Sequence, residues 1–275
     1  MHMSNSAPLT YLFVPGNRPD RFTKAIDSGA DRIILDLEDA VAPEGKAAAR
    51  SAIAGWMQAN RQHAGKVLIR INDVTTTWHA DDLALASEVQ PKCIMLPKCE
   101  AVHQVAAVLA CLPGNASVLP LIETARGLVA VHDIAAAARV ARLAFGSLDY
   151  MVDLAIESGS LALDFAAAQI AVASRAAGLA SPVAGVTPDM DAARVSADML
   201  QAKSLGFGAK MCIHPSQLAA VRAALAPTAA ELAWAQRVLQ AWAVSGGGAI
   251  QLDGKMVDRP VVLKAERIIS LASQK

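Results

Sequence analysis

The chain is expected to fold as an α/β protein, a (β/α)8 TIM barrel followed by a C-terminal helix-hairpin-helix extension. Three observations predict it. Short apolar runs alternate eight times with helical segments over about 220 residues, the repeat of a closed parallel barrel. Most of those runs stop abruptly at a polar or charged residue. Finally, 275 residues with 54% hydrophobic and 18% charged side chains supply a large core, and with only 4% aromatics that core is Ala, Val, Leu and Ile, which suits buried parallel strands. An open doubly wound sheet is the alternative, but no G-x-G-x-x-G follows the first run.

The first strand, 11–14, stops at Pro15-Gly16-Asn17-Arg18-Pro19, and Pro19 suits the first turn of the next helix. The second strand, 32–35, runs into Asp36-Leu37-Glu38-Asp39, and an amphipathic helix is expected over 46–60. Strand three, 67–72, precedes a loop at 75–79 and a short helix at 81–88. The fourth unit pairs strand 93–96 with helix 101–112, and Lys98 lies just past the strand. Strand five, 118–122, ends in Glu123, and helix 127–140 leads to strand six, 143–145, which ends in Gly146-Ser147-Leu148-Asp149. The remaining units are helix 163–177, a weaker strand 182–186, helix 192–205, strand 209–215 with His214 at its end, and helix 217–225. These make a barrel domain over 8–226.

The extension, 227–275, reads as helix 228–244, a flexible joint at 245–248, a hairpin around Asp253-Gly254 and a last helix at 260–272. A segment this patterned yet too small to fold alone must pack on something, either its own barrel mouth or a neighbouring subunit.

Twenty-five basic and 25 acidic residues cancel, so no charge excess points to nucleic acid or to a membrane surface. No apolar run reaches the roughly 18 residues of a membrane span, and the first residues hold no apolar signal core. Cys93, Cys99, Cys111 and Cys212 have no metal or redox spacing. A cytoplasmic protein with reduced thiols is expected.

Side chains at the C-terminal ends of barrel strands share one mouth, which would gather Asp36, Glu38, Arg70, Lys98, Glu123, Asp149 and His214. Three acids in the four residues 36–39 raise one another's pKa or recruit a cation. Arg70, inside an apolar strand, needs an anion, either a neighbouring acid or a substrate; the substrate is preferred. Glu123 and Asp149, from adjacent strands, are oxygen ligands of the kind Mg²⁺ accepts. Arg18, Arg21 and Lys24 at a helix start could hold a phosphate or carboxylate, or simply be a solvated face.

Several segments carry a resemblance. They are 12–25, with Leu12-Phe13-Val14-Pro15-Gly16-Asn17-Arg18-Pro19-Asp20-Arg21, then Leu35-Asp36-Leu37-Glu38-Asp39-Ala40-Val41, Arg70-Ile71-Asn72, Leu96-Pro97-Lys98, Ile122-Glu123-Thr124-Ala125 and Cys212-Ile213-His214-Pro215-Ser216-Gln217. As a set they resemble the citrate lyase β-subunit family, the CitE-like branch of the HpcH/HpaI aldolase superfamily. The tail, Gly254-Lys255-Met256-Val257-Asp258-Arg259-Pro260, is similar to that of the malyl-CoA and citramalyl-CoA lyases.

The resemblance implies a Mg²⁺-dependent carbon-carbon lyase acting on a 3-hydroxyacyl thioester of CoA or a carrier protein, releasing a small oxo acid, with the metal on Glu123 and Asp149. It implies that Arg70, Glu123 and Lys98 meet the substrate, that Asp36 and Glu38 belong with Arg70 to the catalytic group, and that Pro15, Arg18, Arg21 and Lys24 lie near the CoA or carrier phosphates. It also implies a homotrimer in which Asp258 of one subunit's tail, with Asp253 as second choice, supplies the acid/base. The alternatives are a citrate lyase β-subunit, a thioesterase, an oxo-acid aldolase, or a protein that binds an oxo acid or acyl-CoA without turnover. Two departures stand out. The family usually has Gly-Ala-Glu-Asp where this chain has Gly146-Ser147-Leu148-Asp149, and the Ala-rich segment that follows lacks the family's arginine-bearing stretch.

Overall fold

Eight parallel strands close into a barrel, β1 pairing with both β2 and β8, in a computed structural model that describes residues 7–245 and 248–272. The strands are β1 (Thr10–Pro15), β2 (Arg32–Asp36), β3 (Val67–Arg70), β4 (Cys93–Leu96), β5 (Ser117–Ile122), β6 (Ala144–Phe145), β7 (Val183–Ala184) and β8 (Ala209–Cys212). Their connections are α1 (Phe22–Asp27), α2 (Lys46–Ala59), α3 (His79–Val89), α4 (Val102–Ala110), α5 (Ala125–Val129), α6 (Val131–Ala136), α7 (Ser147–Leu154), α8 (Leu161–Ala176), α9 (Ala192–Ser204) and α10 (Gln217–Leu225).

Alternate residues of each strand fill the barrel interior, among them Tyr11, Ile34, Leu68, Met95, Leu121, Ala144, Val183 and Met211. Carrying that period two residues beyond Ile34, Leu68 and Leu121 reaches Asp36, Arg70 and Glu123, all buried. The polar residues at the mouth thus continue the same inward register as the core beneath them.

Several regions differ from the sequence expectation. The helix expected over 127–140 is two short ones, α5 and α6, followed by an isolated bridge between Val118 and Val140 and a left-handed Arg139 (φ 58°). An unexpected helix, α7, begins directly after β6 and carries Asp149 in its first turn. The strands expected to extend to Asn72, Val186 and Pro215 end earlier, at Arg70, Ala184 and Cys212.

The chain divides into two compact units, Ala7–Ala224 and the segment from Leu225 onward. In the second unit α11 (Ala229–Ala243) starts on a capping box, Thr228 Oγ1 accepting from Glu231 N and Glu231 Oε2 accepting from Thr228 N. Strands β9 (Ile250–Leu252) and β10 (Lys255–Val257) form an antiparallel hairpin, and α12 (Arg259–Ala272) completes it around Ala235, Val238, Val257, Val262, Ala265 and Ile268. Asp253 and Gly254 both take positive φ, 51° and 74°, as a type I′ hairpin turn requires. Of the expected joint, Gly246 and Gly247 lie outside the described residues, as do residues 1–6 and 273–275. No described helix is long and apolar enough to cross a membrane.

Candidate metal and substrate site

Arg70 and Asp36 are Cα partners across β2 and β3, so their inward side chains meet at the barrel mouth. Arg70 Nε and Nη2 donate to the two Asp36 oxygens, both at 2.7 Å. Its Nη1 lies 2.7 Å from Glu38 Oε2, an ion pair without hydrogen-bond alignment, and 3.5 Å from Asp39 Oδ2. The Phe13 ring lies beneath the guanidinium, 4.8 Å from its centre. Burial opposes the Arg70 charge, but these acids outweigh it and its pKa is raised. The sequence preferred a substrate as the partner of Arg70; the structure gives it acids, because the register sets Asp36 opposite.

Asp36, expected among the catalytic acids, is 1% exposed and accepts four hydrogen bonds, two from Arg70 and one each from the backbone N of Glu38 and Ala40. That geometry makes it the anchor of Arg70. Glu38 reaches further, pairing with Arg70 and accepting from Lys98 Nζ at 3.0 Å; burial nevertheless pushes its pKa up.

Lys98 occupies a left-handed conformation (φ 43°) just past β4. There its backbone N donates to Glu123 Oε2 at 3.0 Å while its ammonium pairs with Glu38. Burial opposes the ammonium charge, yet Glu38, Glu123 and Asp149 raise its pKa. Glu123 is 2% exposed, and burial together with the charges of Glu38 and Asp149 pushes its pKa up to about 8. Asp149 therefore lies close enough to act on both Lys98 and Glu123. Gly146 makes room for Glu123: a Cβ there would fall 2.4 Å from both Glu123 Cγ and Oε1.

The site fits a divalent cation. Asp36, Glu38, Asp39, Glu123 and Asp149 outnumber Arg70, Lys98 and the deeper Lys46, and burial beside Glu38 and Asp149 pushes Glu123 toward its neutral form. Among the described residues no group of three or more His, Cys, Asp or Glu is placed to hold a metal. Two carboxylates suit Mg²⁺, which keeps its remaining positions for water and substrate oxygens.

The other expected residues are spread more widely. Pro15 ends β1 opposite Asp36, at the rim. Arg18 is chelated by Asp20 at 2.9 and 2.8 Å, and Arg21 and Lys24 are exposed at the start of α1. His214 is exposed and bonded to Ser216. In the second unit Asp258 is half-buried, its Oδ1 accepting from Val261 N at the start of α12, and Asp253 pairs with Arg237.

Sequence reasoning missed the group that braces the acid loop. The ammonium of Lys46, 4% exposed, donates to Leu37 O, Glu38 O and Asn72 Oδ1. Asn72 in turn donates twice to the fully buried Asp82, which Arg50 also reaches. Lys46 and Asp82 sit in helices where charged residues are ordinarily solvated, so nothing in the sequence marked them.

The family model for HpcH/HpaI aldolase/citrate lyase matches residues 9–215. A citrate lyase subunit beta-like protein from Mycobacterium tuberculosis is 35% identical over 272 residues, 96% of this chain and 95% of that protein. A (3S)-malyl-CoA thioesterase from Cereibacter sphaeroides is 31% identical over 271 residues, 95% of this chain and 93% of that protein. The crystal structure of CitE from M. tuberculosis in complex with magnesium, acetoacetate and coenzyme A superposes with a TM-score of 0.88 at 34% identity, covering 98% of this chain and 99% of the other.

Proposed function

Since the chain belongs to the HpcH/HpaI aldolase/citrate lyase family, we propose that it is a Mg²⁺-dependent carbon-carbon lyase. In this reading it cleaves a 3-hydroxyacyl thioester of the malyl-CoA or citramalyl-CoA type to an oxo acid and a shorter acyl thioester. The observation that carries the reading is the juxtaposition of Glu123, Asp149 and Lys98, two acids and a cation at adjacent strand ends, with glycine clearance at Gly146.

Held by Glu123 and Asp149, Mg²⁺ would supply a Lewis acid that chelates the carboxylate and carbonyl oxygens of the oxo acid. A base removes the proton of the 3-hydroxyl, the bond between C2 and C3 breaks, C3 becomes the carbonyl carbon of the oxo acid, and the electron pair passes to the thioester enolate. Lys98, whose side chain is 34% exposed against 10% for Arg70, is the cation with more freedom to face that enolate oxygen. Arg70 serves the same charge from behind, through Glu38. Protonation of the enolate carbon completes the acyl thioester.

Malyl-, citramalyl- and citryl-CoA, each incubated with the protein and Mg²⁺, separate the possibilities. A lyase releases the oxo acid with no free thiol, whereas a thioesterase releases the thiol. If no CoA ester yields either product, the reading fails; activity only on a citryl carrier protein would then identify a citrate lyase β-subunit.

The proton carrier in this reading is Asp258, delivered in a homotrimer by the extension of a neighbouring subunit, with Arg18, Arg21 and Lys24 toward the phosphates of CoA or carrier. Asp258→Asn is expected to lower kcat by about 10²- to 10⁴-fold with little change in KM. Full turnover by both Asp258→Asn and a chain ending at Val244 would remove the extension from the mechanism.

A further inference from the structure

Lys46 is the one buried cation near the mouth, among the described residues, that the proposed chemistry leaves unused. It opens α2, where the helix dipole disfavours a positive charge, and its burial adds to that cost. A residue that breaks a local rule at such cost marks a place where function and fold compete. All three ammonium donors go to neutral oxygens: Leu37 O at 2.8 Å, Glu38 O at 3.0 Å and Asn72 Oδ1 at 2.6 Å. The Trp78 ring covers the ammonium, its centre 4.7 Å from Nζ.

The two carbonyls belong to the peptide groups on either side of the Glu38 Cα. Since each peptide group is planar, one ammonium fixes both planes and with them the direction in which the Glu38 side chain leaves the loop. From the barrel side the same residues are held by Glu38 N donating to Asp36 Oδ1 and by Leu37 N donating to Arg70 O, both at 2.9 Å. Glu38 then sets one oxygen 2.7 Å from Arg70 Nη1 while the other accepts from Lys98 Nζ at 3.0 Å.

Asn72, the third acceptor, is itself fixed from behind. Its N and Nδ2 donate to Asp82 Oδ2 at 2.7 and 2.6 Å, and Asp82 Oδ1 accepts from Arg50 Nη1 at 3.1 Å. One amide orientation serves both neighbours, oxygen to ammonium and nitrogen to carboxylate. Lys46, Asn72 and Trp78 border the same cleft of about 410 Å³ as Glu38 and Lys98, so the brace stands directly beside the pair that it holds.

We propose that Lys46 is a positioning residue, holding the acid loop so that Glu38 keeps Lys98 aimed at the reacting thioester. Its consequence for turnover rests on the lyase reading of the Proposed function, whereas the hold on Lys98 does not depend on that reading.

Acylation of the full chain by acetic anhydride, read residue by residue in a mass spectrometer, reports the pairing of Lys98 with Glu38 without any turnover. Glu38 raises the Lys98 pKa, so losing that partner lowers it, and labelling of Lys98 is expected to rise on the order of tenfold in both Glu38→Gln and Lys46→Met. Labelling of the exposed Lys24 on α1 should stay at the parent rate, which separates a local release from unfolding. On whichever of malyl-, citramalyl- or citryl-CoA the parent cleaves, Lys46→Met is expected to lower kcat about 10- to 100-fold with KM within about twofold. Combined with Glu38→Gln it should cost no more than Glu38→Gln alone, because it acts through Glu38. A role in stability alone would lower the melting temperature, leave Lys98 labelling unchanged and make the two losses in kcat multiply; either of the last two results overturns the inference. If the parent cleaves none of the esters, the lyase reading falls and labelling alone decides whether Lys46 holds the pair. Lys46→Arg keeps the charge, but its planar fork cannot reach three converging acceptors, so it is expected to behave like Lys46→Met and takes its place should that variant not fold.

Discussion

Glu123→Gln is expected to abolish Mg²⁺-dependent turnover, by about a thousandfold or more, because a chelating Lewis acid accounts for several kcal/mol of transition-state stabilisation. Asp149→Ala is expected to do the same. The sharper test is Gly146→Ala, which keeps every carboxylate but puts a methyl 2.4 Å from Glu123 Cγ and Oε1. If the position of Glu123 matters, this methyl is as damaging as losing the charge. Full activity in Gly146→Ala would show that Glu123 need not stand where the structure puts it.

The same carboxylate makes a prediction about pH. Its folded pKa, about 8, is raised from the ordinary 4.5, so the folded state keeps a proton that the unfolded chain releases. Stability from this group is therefore full below about pH 4.5 and is lost as pH rises through about 8, on the order of a few kcal/mol. In chelator the melting temperature is expected to fall across that window, and Glu123→Gln to flatten the fall. Mg²⁺ favours the ionised form, so the rise in Tm that it produces should be larger at about pH 8.5 than at about pH 5. Equal rises at both would remove Glu123 from the metal site.

The barrel was legible because its eight apolar runs stop at polar residues, and that punctuation survives even where β6 and β7 shrink to two residues each. Glu123 and Asp149 were legible as acids just past two of those runs for the same reason. What could not be read was anything decided by the third dimension. Arg70 had several possible anions, and only the β2–β3 register selects Asp36. The short run 147–154 is too brief to show a helical period, so α7, which carries Asp149, had no assignment in the sequence reading. Nothing in the sequence showed the role of Gly146, which is clearance beside Glu123. Lys46 and Asp82 carry charges that a helix usually gives to solvent, and their burial appears only when Lys46 meets the loop after β2 and Asp82 meets Asn72.

Arg70→Met is expected to destabilise the protein by about 3–5 kcal/mol, since it leaves Asp36 and Glu38, 1% and 6% exposed, without their shared guanidinium. A drop in Tm on the order of 10 °C would follow. Much of that cost is the charge left behind rather than the worth of the pair, so Arg70→Met combined with Asp36→Asn should recover part of the loss. Catalysis should not recover with it, because Glu38 would still lack the cation that restrains its charge, and Lys98 would be drawn to it more strongly. A double variant that is stable but inactive thus separates the two roles of Arg70, in holding the mouth together and in setting the charge that Lys98 and Glu38 present to the substrate. A double variant as active as the parent would confine Arg70 to the scaffold.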